Sequence, residues 1–214
     1  MTVNPSSRPE RWHRLADAAK YALAIHADQE RKGAGTPYIG HLLGVASLVL
    51  EHGGDEDQAI AGLLHDAIED VGADQEAVIA ERFGPRVARI VRACTDADSL
   101  PKPPWEERKR AYLAHLREVG PDLLLVSCAD KLHNARAIVT DINTHGLALF
   151  ERFNVPKERT LWYYRSLADL FEFALPGPLS AELGRTVAEM TRLASEEPRP
   201  KGDAHTPTDL PITR

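Results

Sequence analysis

The stretch AIAGLLHDAIEDVG, residues 59–72, decides how the chain is read. An apolar run leads straight into His65, Asp66, Glu69 and Asp70. Groups of this kind are costly to bury unless something pairs with them. On a helix, His65 and Glu69 share one face and Asp66 and Asp70 the adjoining one. A solvated helix end before Gly72 would account for an isolated His–Asp pair. Carboxylates gathered at a helix C-terminus are opposed by the helix dipole, however, and the run before them must pack. A cation beside them resolves both problems.

Helical signals continue in both directions. SSRPERWHRLADAAKYALAIHADQERKG opens with Ser7 and Glu10 in capping-box spacing and closes at Gly33. Its Trp12, Leu15, Ala19, Ala22, Leu23 and His26 follow three- and four-residue steps. A second helix is expected over His41–His52, ending at Gly53-Gly54, and a third from Asp55 into the quoted stretch. Asp74–Phe83 stops at Gly84, and Pro85 suits the start of Arg86–Cys94. Past the Pro-rich loop TDADSLPKPP come WEERKRAYLAHLREV, then DLLLVSCADKLHNARAIVTDINTHG after Gly120-Pro121. Pro156 introduces KERTLWYYRSLADLFEFAL, and SAELGRTVAEMTRLASEE is the last helix. No segment alternates with a two-residue period, so no strand is expected. The reading is an all-α domain over residues 7–195. Residues 196–214, rich in Pro, Thr and charge, read as a disordered tail.

Composition narrows the function. The chain has 214 residues, 43% hydrophobic and 27% charged, enough to close a core without disulfides. Cys94 and Cys128 form no CxxC pair, which suits a reducing compartment and excludes a cysteine-based zinc site. With no signal-peptide layout and no long apolar run, the chain is expected to be cytoplasmic, with no membrane partner. A net charge of −6 argues against a sequence-independent nucleic-acid binder. It is silent on a small phosphorylated ligand, which needs only local cations or a metal.

A metal needs more ligands than the quoted stretch offers. His41 follows the turn GTPYIG, where alone it would read as a capping or part-buried His. Asp130 lies in LLLVSCADKLHN, directly after an apolar run that must be buried, and Asn134 shares its helix face. Two imidazoles and two carboxylates suit manganese, iron, zinc or another first-row divalent ion. His133 reads as a packing or hydrogen-bonding residue; His13, His26, His52, His115 and His145 read as structural. Within Leu161–Tyr164 the aromatic residues read as core, though one could line a base pocket. Arg108, Lys109 and Arg110 read as a solvated face that could touch a polyphosphate. A Gly-rich phosphate-cradling loop is absent.

The series RKGAGTPYIGH, LLHDAIED, FGPRVARIVRACTD, WEERKRAYLAHL and ADKLHNAR resembles the HD-domain superfamily. More narrowly it is similar to the hydrolase domain of the Rel/Spo alarmone enzymes and to the stand-alone small alarmone hydrolases. The likeness covers about residues 10–175, with the motifs in family order. It implies a helical bundle of about eight to ten helices. It implies one divalent ion, Mn2+ foremost, held by His41, His65, Asp66 and Asp130, with Glu69 and Asp70 needed for hydrolysis. Arg31 and Lys32 would border the nucleotide, and Asn134 would face it. Lys131 stands where the long enzymes carry Arg, so a bidentate phosphate fork is lost there. The spacer in RKGAGTP is one residue longer than the RKxGxP form.

A bound divalent ion acidifies its water and polarises a phosphoryl oxygen. Glu69 and Asp70, one turn from the ligands, are placed to take the water's proton. The resemblance implies removal of the 3′-diphosphate from guanosine 3′,5′-bis(diphosphate) or its pentaphosphate. Three rivals stay open. The same site could act on an adenosine analogue, a dinucleotide-cofactor phosphate (as in NADPH) or a deoxynucleotide. A non-catalytic nucleotide-binding module is the second, and a helical interaction module the third.

Overall fold

The computed structural model describes residues 12–31, 35–96, 101–152 and 155–196. Among them it is all-helical: α1 (His13–Ile25), α2 (Ile39–Glu51), α3 (Glu56–Leu64), α4 (Ala67–Asp70), α5 (Gln75–Phe83), α6 (Pro85–Cys94), α7 (Trp105–Leu116), α8 (Pro121–His145), a 3-10 helix (Gly146–Arg152), α9 (Lys157–Ala174) and α10 (Pro178–Ser195). Local chemistry sets several boundaries. Asp55 and Gln58 form a reciprocal capping box at the start of α3, with both bonds 3.0 Å long. Pro85, Pro121 and Pro178 stand in the first turn of α6, α8 and α10, where a missing N–H costs nothing.

The long α8 is the axis of the bundle. It packs against α2, α3, α6, α9 and α10, while α3 also meets α1 and α2. Leu42, Ile60, Leu63, Leu64, Ile90, Leu124, Leu132, Leu167 and Phe171 are fully buried between them. Each such side chain stabilises the fold by roughly 1.5–3 kcal/mol relative to exposure. Two glycines let neighbouring helices approach α2 closely. A Cβ at Gly62 would stand 3.1 Å from the Ala46 Cα, so α3 lies close upon α2. At Gly44 it would stand 2.2 Å from the His133 Nε2, so α2 admits a ring of α8 only because this position has no side chain.

Three boundaries differ from the sequence reading. The first helix ends at Ile25 instead of running to Gly33. Beyond it the main chain folds back: Arg31 N donates to Thr36 O (2.9 Å), Tyr38 N donates to Gln29 O (2.9 Å), and Glu30 and Pro37 form an isolated antiparallel bridge. Those groups are therefore not free to continue a helix. Second, α3 does not run unbroken through the quoted stretch. His65 Nδ1 bonds Gly62 O at 2.9 Å, taking a carbonyl at the helix end, and the chain turns at His65–Asp66 before α4. Third, the 3-10 segment after α8 was not anticipated. The expected Ser7–Glu10 cap and the tail beyond residue 196 lie outside the described residues. No described helix is long and apolar enough to cross a membrane.

Candidate metal centre and active site

Three elements bring four donors to one point. His41 sits in the first turn of α2, His65 and Asp66 at the α3–α4 junction, and Asp130 in the middle of α8. His41 Nε2 lies 3.3 Å from His65 Nε2 and 3.3 Å from Asp130 Oδ1, and 3.8 Å from Asp66 Oδ2. His65 Nε2 lies 3.0 Å from Asp66 Oδ2 and 3.5 Å from Asp130 Oδ1. Donors bound at about 2.0–2.2 Å to a common ion stand roughly 3.0–3.5 Å apart at octahedral or tetrahedral angles. His41, His65 and Asp66 form a close N/O group suited to a divalent cation, with Asp130 within 3.5 Å of both imidazoles from the α8 side. His41, His65 and Asp130 are buried. The electrostatics make the same demand. Burial works against charge on His65, yet Asp66 and Asp130 outweigh it and hold the imidazole well above its ordinary pKa. His41 moves the other way, mainly through burial. Burial opposes ionisation of Asp130 too, but Lys131 and His65 hold its carboxyl well below the carboxylate range.

Neighbouring groups fix which ring nitrogens face inward. The Gly62 carbonyl can only accept, so His65 Nδ1 carries a proton and Nε2 points at the cage. For His41 the constraint passes through His133. Arg31 Nη1, which can only donate, lies 3.3 Å from His133 Nδ1 and makes that nitrogen an acceptor. His41 Nδ1, 3.0 Å from the same atom, must then donate to it, leaving His41 Nε2 as a lone pair aimed inward. Burial, then His41 and Arg31, push His133 down to about 4, in keeping with an uncharged acceptor. Arg31 also reaches Asp130: Nη2 donates to Asn134 Oδ1 (2.8 Å), and Asn134 Nδ2 donates to Asp130 Oδ1 (2.5 Å). Tyr38 donates its hydroxyl to Asp66 Oδ2.

The remaining carboxylates stand beside the cage. Glu69 is half-buried and accepts from Lys102 Nζ at 2.8 Å; burial and Asp96 raise its pKa against that ion pair. Asp70 is exposed and accepts from Gln29 Nε2 at 2.7 Å. Asp96 binds Arg108 (2.8 Å) and Lys109. Lys131 donates to Asp130 Oδ2 at 2.6 Å and lies 5.1 Å above the Tyr112 ring.

His41, His65, Asp66 and Asp130 are thus brought together, with Glu69 and Asp70 alongside. Among the residues expected to touch substrate, Asn134 and Lys131 bond Asp130 and Arg31 bonds His133 and Asn134 behind it, while Lys32 lies outside the described residues. Arg108 and Lys109, read as a solvated face, are largely buried around Asp96, and only Arg110 is exposed. Tyr163 and Tyr164 are buried as core. Tyr38 and Gln29 were missed. Tyr38 stood within the quoted motif PYI, but nothing in its spacing tells which carboxylate it meets.

The chain is similar to known proteins in both sequence and fold. A family model described as HD domain matches residues 18–155. The guanosine-3′,5′-bis(diphosphate) 3′-pyrophosphohydrolase MESH1 of Xenopus tropicalis is 42% identical over 125 residues, 57% of this chain and 68% of that protein. Its Homo sapiens counterpart is 40% identical over the same shares of the two chains. A solved metazoan ortholog of SpoT, described as hydrolysing ppGpp, superimposes with a TM-score of 0.67 at 25% identity, covering 88% of this chain and 98% of that one. The Listeria monocytogenes protein lmo0812 gives 0.65 at 29% identity, covering 71% and 99%. With the HD-domain model matching residues 18–155, more than half of its length, the chain belongs to the HD-domain family.

Proposed function

We propose that the chain hydrolyses guanosine 3′,5′-bis(diphosphate) and its pentaphosphate at the 3′ position, releasing diphosphate and GDP or GTP. The observation that carries this reading is the convergence of His41, His65, Asp66 and Asp130, in a chain about 40% identical to enzymes named for that reaction. These four residues would hold the ion, with manganese the preferred metal for a mixed N/O set beside which a carboxylate base is still needed. When bound, a divalent ion withdraws charge from a phosphoryl oxygen and from the attacking water.

The chain's own groups do the rest. Glu69 and Asp70 take the proton of the water as it attacks the phosphorus bonded to the ribose 3′ oxygen. The P–O3′ bond breaks, a proton passes to the departing sugar oxygen, and free diphosphate leaves. Burial and Asp96 raise the pKa of Glu69, the direction that favours a carboxyl able to carry a proton. Lys102, Lys131, Arg31 and Asn134, which ion-pair or hydrogen-bond beside the four donors, would offer donors to the anionic purine nucleotide. The two free, buried thiols, Cys94 and Cys128, fit a reducing compartment such as the cytoplasm.

Phosphorus NMR of the manganese-loaded protein with the guanosine substrate tests the bond assignment. Diphosphate should be the sole phosphate product, with activity lost on chelation and restored best by manganese. Stoichiometric orthophosphate would overturn the mechanism. Turnover of only an adenosine analogue, NADPH or a deoxynucleotide would move the substrate but keep the site.

A further inference from the structure

We infer that Gln29, locked in place by His26, is a positioning residue that fixes the carboxylate of Asp70 for proton transfer. The inference rests on the reading of Asp70 as catalytic, and begins from its exposure. Asp70 ends the four-residue helix α4 and is open to solvent. Left alone, a side chain there samples several rotamers, whereas proton transfer needs one geometry. Gln29 Nε2 holds Asp70 Oδ2 at 2.7 Å, across 41 residues of sequence.

The amide is oriented from behind. A carboxylate oxygen only accepts, so the Gln29 nitrogen faces Asp70 and its Oε1 faces away. That oxygen lies 2.5 Å from His26 Nδ1 and can only accept, so His26 Nδ1 is the donor. The remaining ring nitrogen, Nε2, is buried and has no hydrogen-bond partner among the described residues. A polar atom left orphaned in a buried ring is unfavourable. It is tolerated here where the other nitrogen holds the amide in one of its two orientations.

The main chain of Gln29 is fixed as well. Its N–H donates to His26 O at 3.1 Å, and its carbonyl accepts from Tyr38 N at 2.9 Å. Tyr38 in turn holds Asp66. Gln29 is therefore braced by the end of α1 on one side and by the start of α2 on the other. A loop residue with both backbone groups and both side-chain ends occupied is built to place something, and Asp70 is what it touches.

Gln29→Met keeps the volume and removes the amide. In the manganese-loaded protein it should lower kcat by roughly 10- to 100-fold, the scale of an ångström-level misplacement, with KM and metal content unchanged. In the Asp70→Asn background it should cause no further loss, since both changes remove one function. Long-range 1H–15N spectra should show His26 as the single Nδ1–H tautomer in the native protein and as a mixture in Gln29→Met. An unaltered kcat in Gln29→Met, with Asp70→Asn inactive, would overturn the inference and leave the proposed function standing. So would a fall in kcat that simply adds to the Asp70→Asn loss. Full activity of Asp70→Asn would remove the catalytic reading of that residue and the inference with it.

Discussion

Single residues divide into those that hold charge and those that move protons. His65→Ala or Asp130→Ala removes one of four converging donors and leaves its buried partners unpaired. Both should abolish metal content and turnover together, as measured by elemental analysis and assay. Glu69→Gln and Asp70→Asn should keep the metal and lose about 10²–10⁴-fold in rate, the usual cost of a missing general base. Undiminished metal in the first pair, or near-native rates in the second, would contradict these assignments. His65, Asp66 and Asp130 stood out in the sequence as candidate donors, because a carboxylate after LLLVSCA and a His–Asp pair after AIAGLL are hard to explain without a cation, whereas His41 alone would read as a capping or part-buried His. Arg31, Lys131 and Asn134 were legible only as polar residues near the site. Their bonds to His133 and Asp130 depend on side-chain directions that no spacing encodes.

Elements set the precision of the cage. The approach of α2 to α8 is permitted by Gly44, where any Cβ would overlap the His133 ring. Gly44→Ala should therefore displace His133, loosen the tautomer lock on His41 and weaken metal affinity while the fold persists. Overpacking of this kind costs about 1–3 kcal/mol. Thermal melts should show a lowered Tm that the double variant Gly44→Ala/His133→Ala recovers, whereas metal titration should show affinity still impaired. Helix positions were readable from Gly84-Pro85, Gly120-Pro121 and the apolar steps between them. The end of α1 at Ile25 and the break at His65 were not. In both places a group takes up main-chain partners that a helix would use: Tyr38 and Thr36 in the first, the His65 ring in the second. Local propensity contains neither.

The whole molecule carries these local terms into its response to pH. His133 sits at about 4 in the fold against an ordinary 6.5. Between those values the unfolded chain binds a proton that the folded chain declines, so stability rises with pH across this window and falls on acidification. His41 acts in the same sense, its pKa being lowered mainly by burial. His65 acts in the opposite sense: its raised value stabilises the metal-free fold below 6.5, and that contribution is lost as pH climbs through the elevated pKa. Denaturant melts of the metal-free protein should show stability decreasing from pH 6.5 to 4, with a shallower slope in His133→Gln; an identical slope would refute the assignment. An all-α bundle was readable at this scale, since no two-residue period competed with the helical one. The dominance of α8 was not, because it depends on packing partners drawn from most of the described chain. That arrangement also sets an order of events in folding. His41, His65 and Asp66 come from the consecutive α2 and α3 and the turn after them, whereas Asp130 comes from α8, so the α2–α3 pair supplies three of the four donors and lacks the fourth. The complete set of donors therefore exists only once α8 packs on α2 and α3. A chain in which α8 has not yet docked would hold an ion with fewer ligands and more weakly, and tight capture of the ion would time that docking.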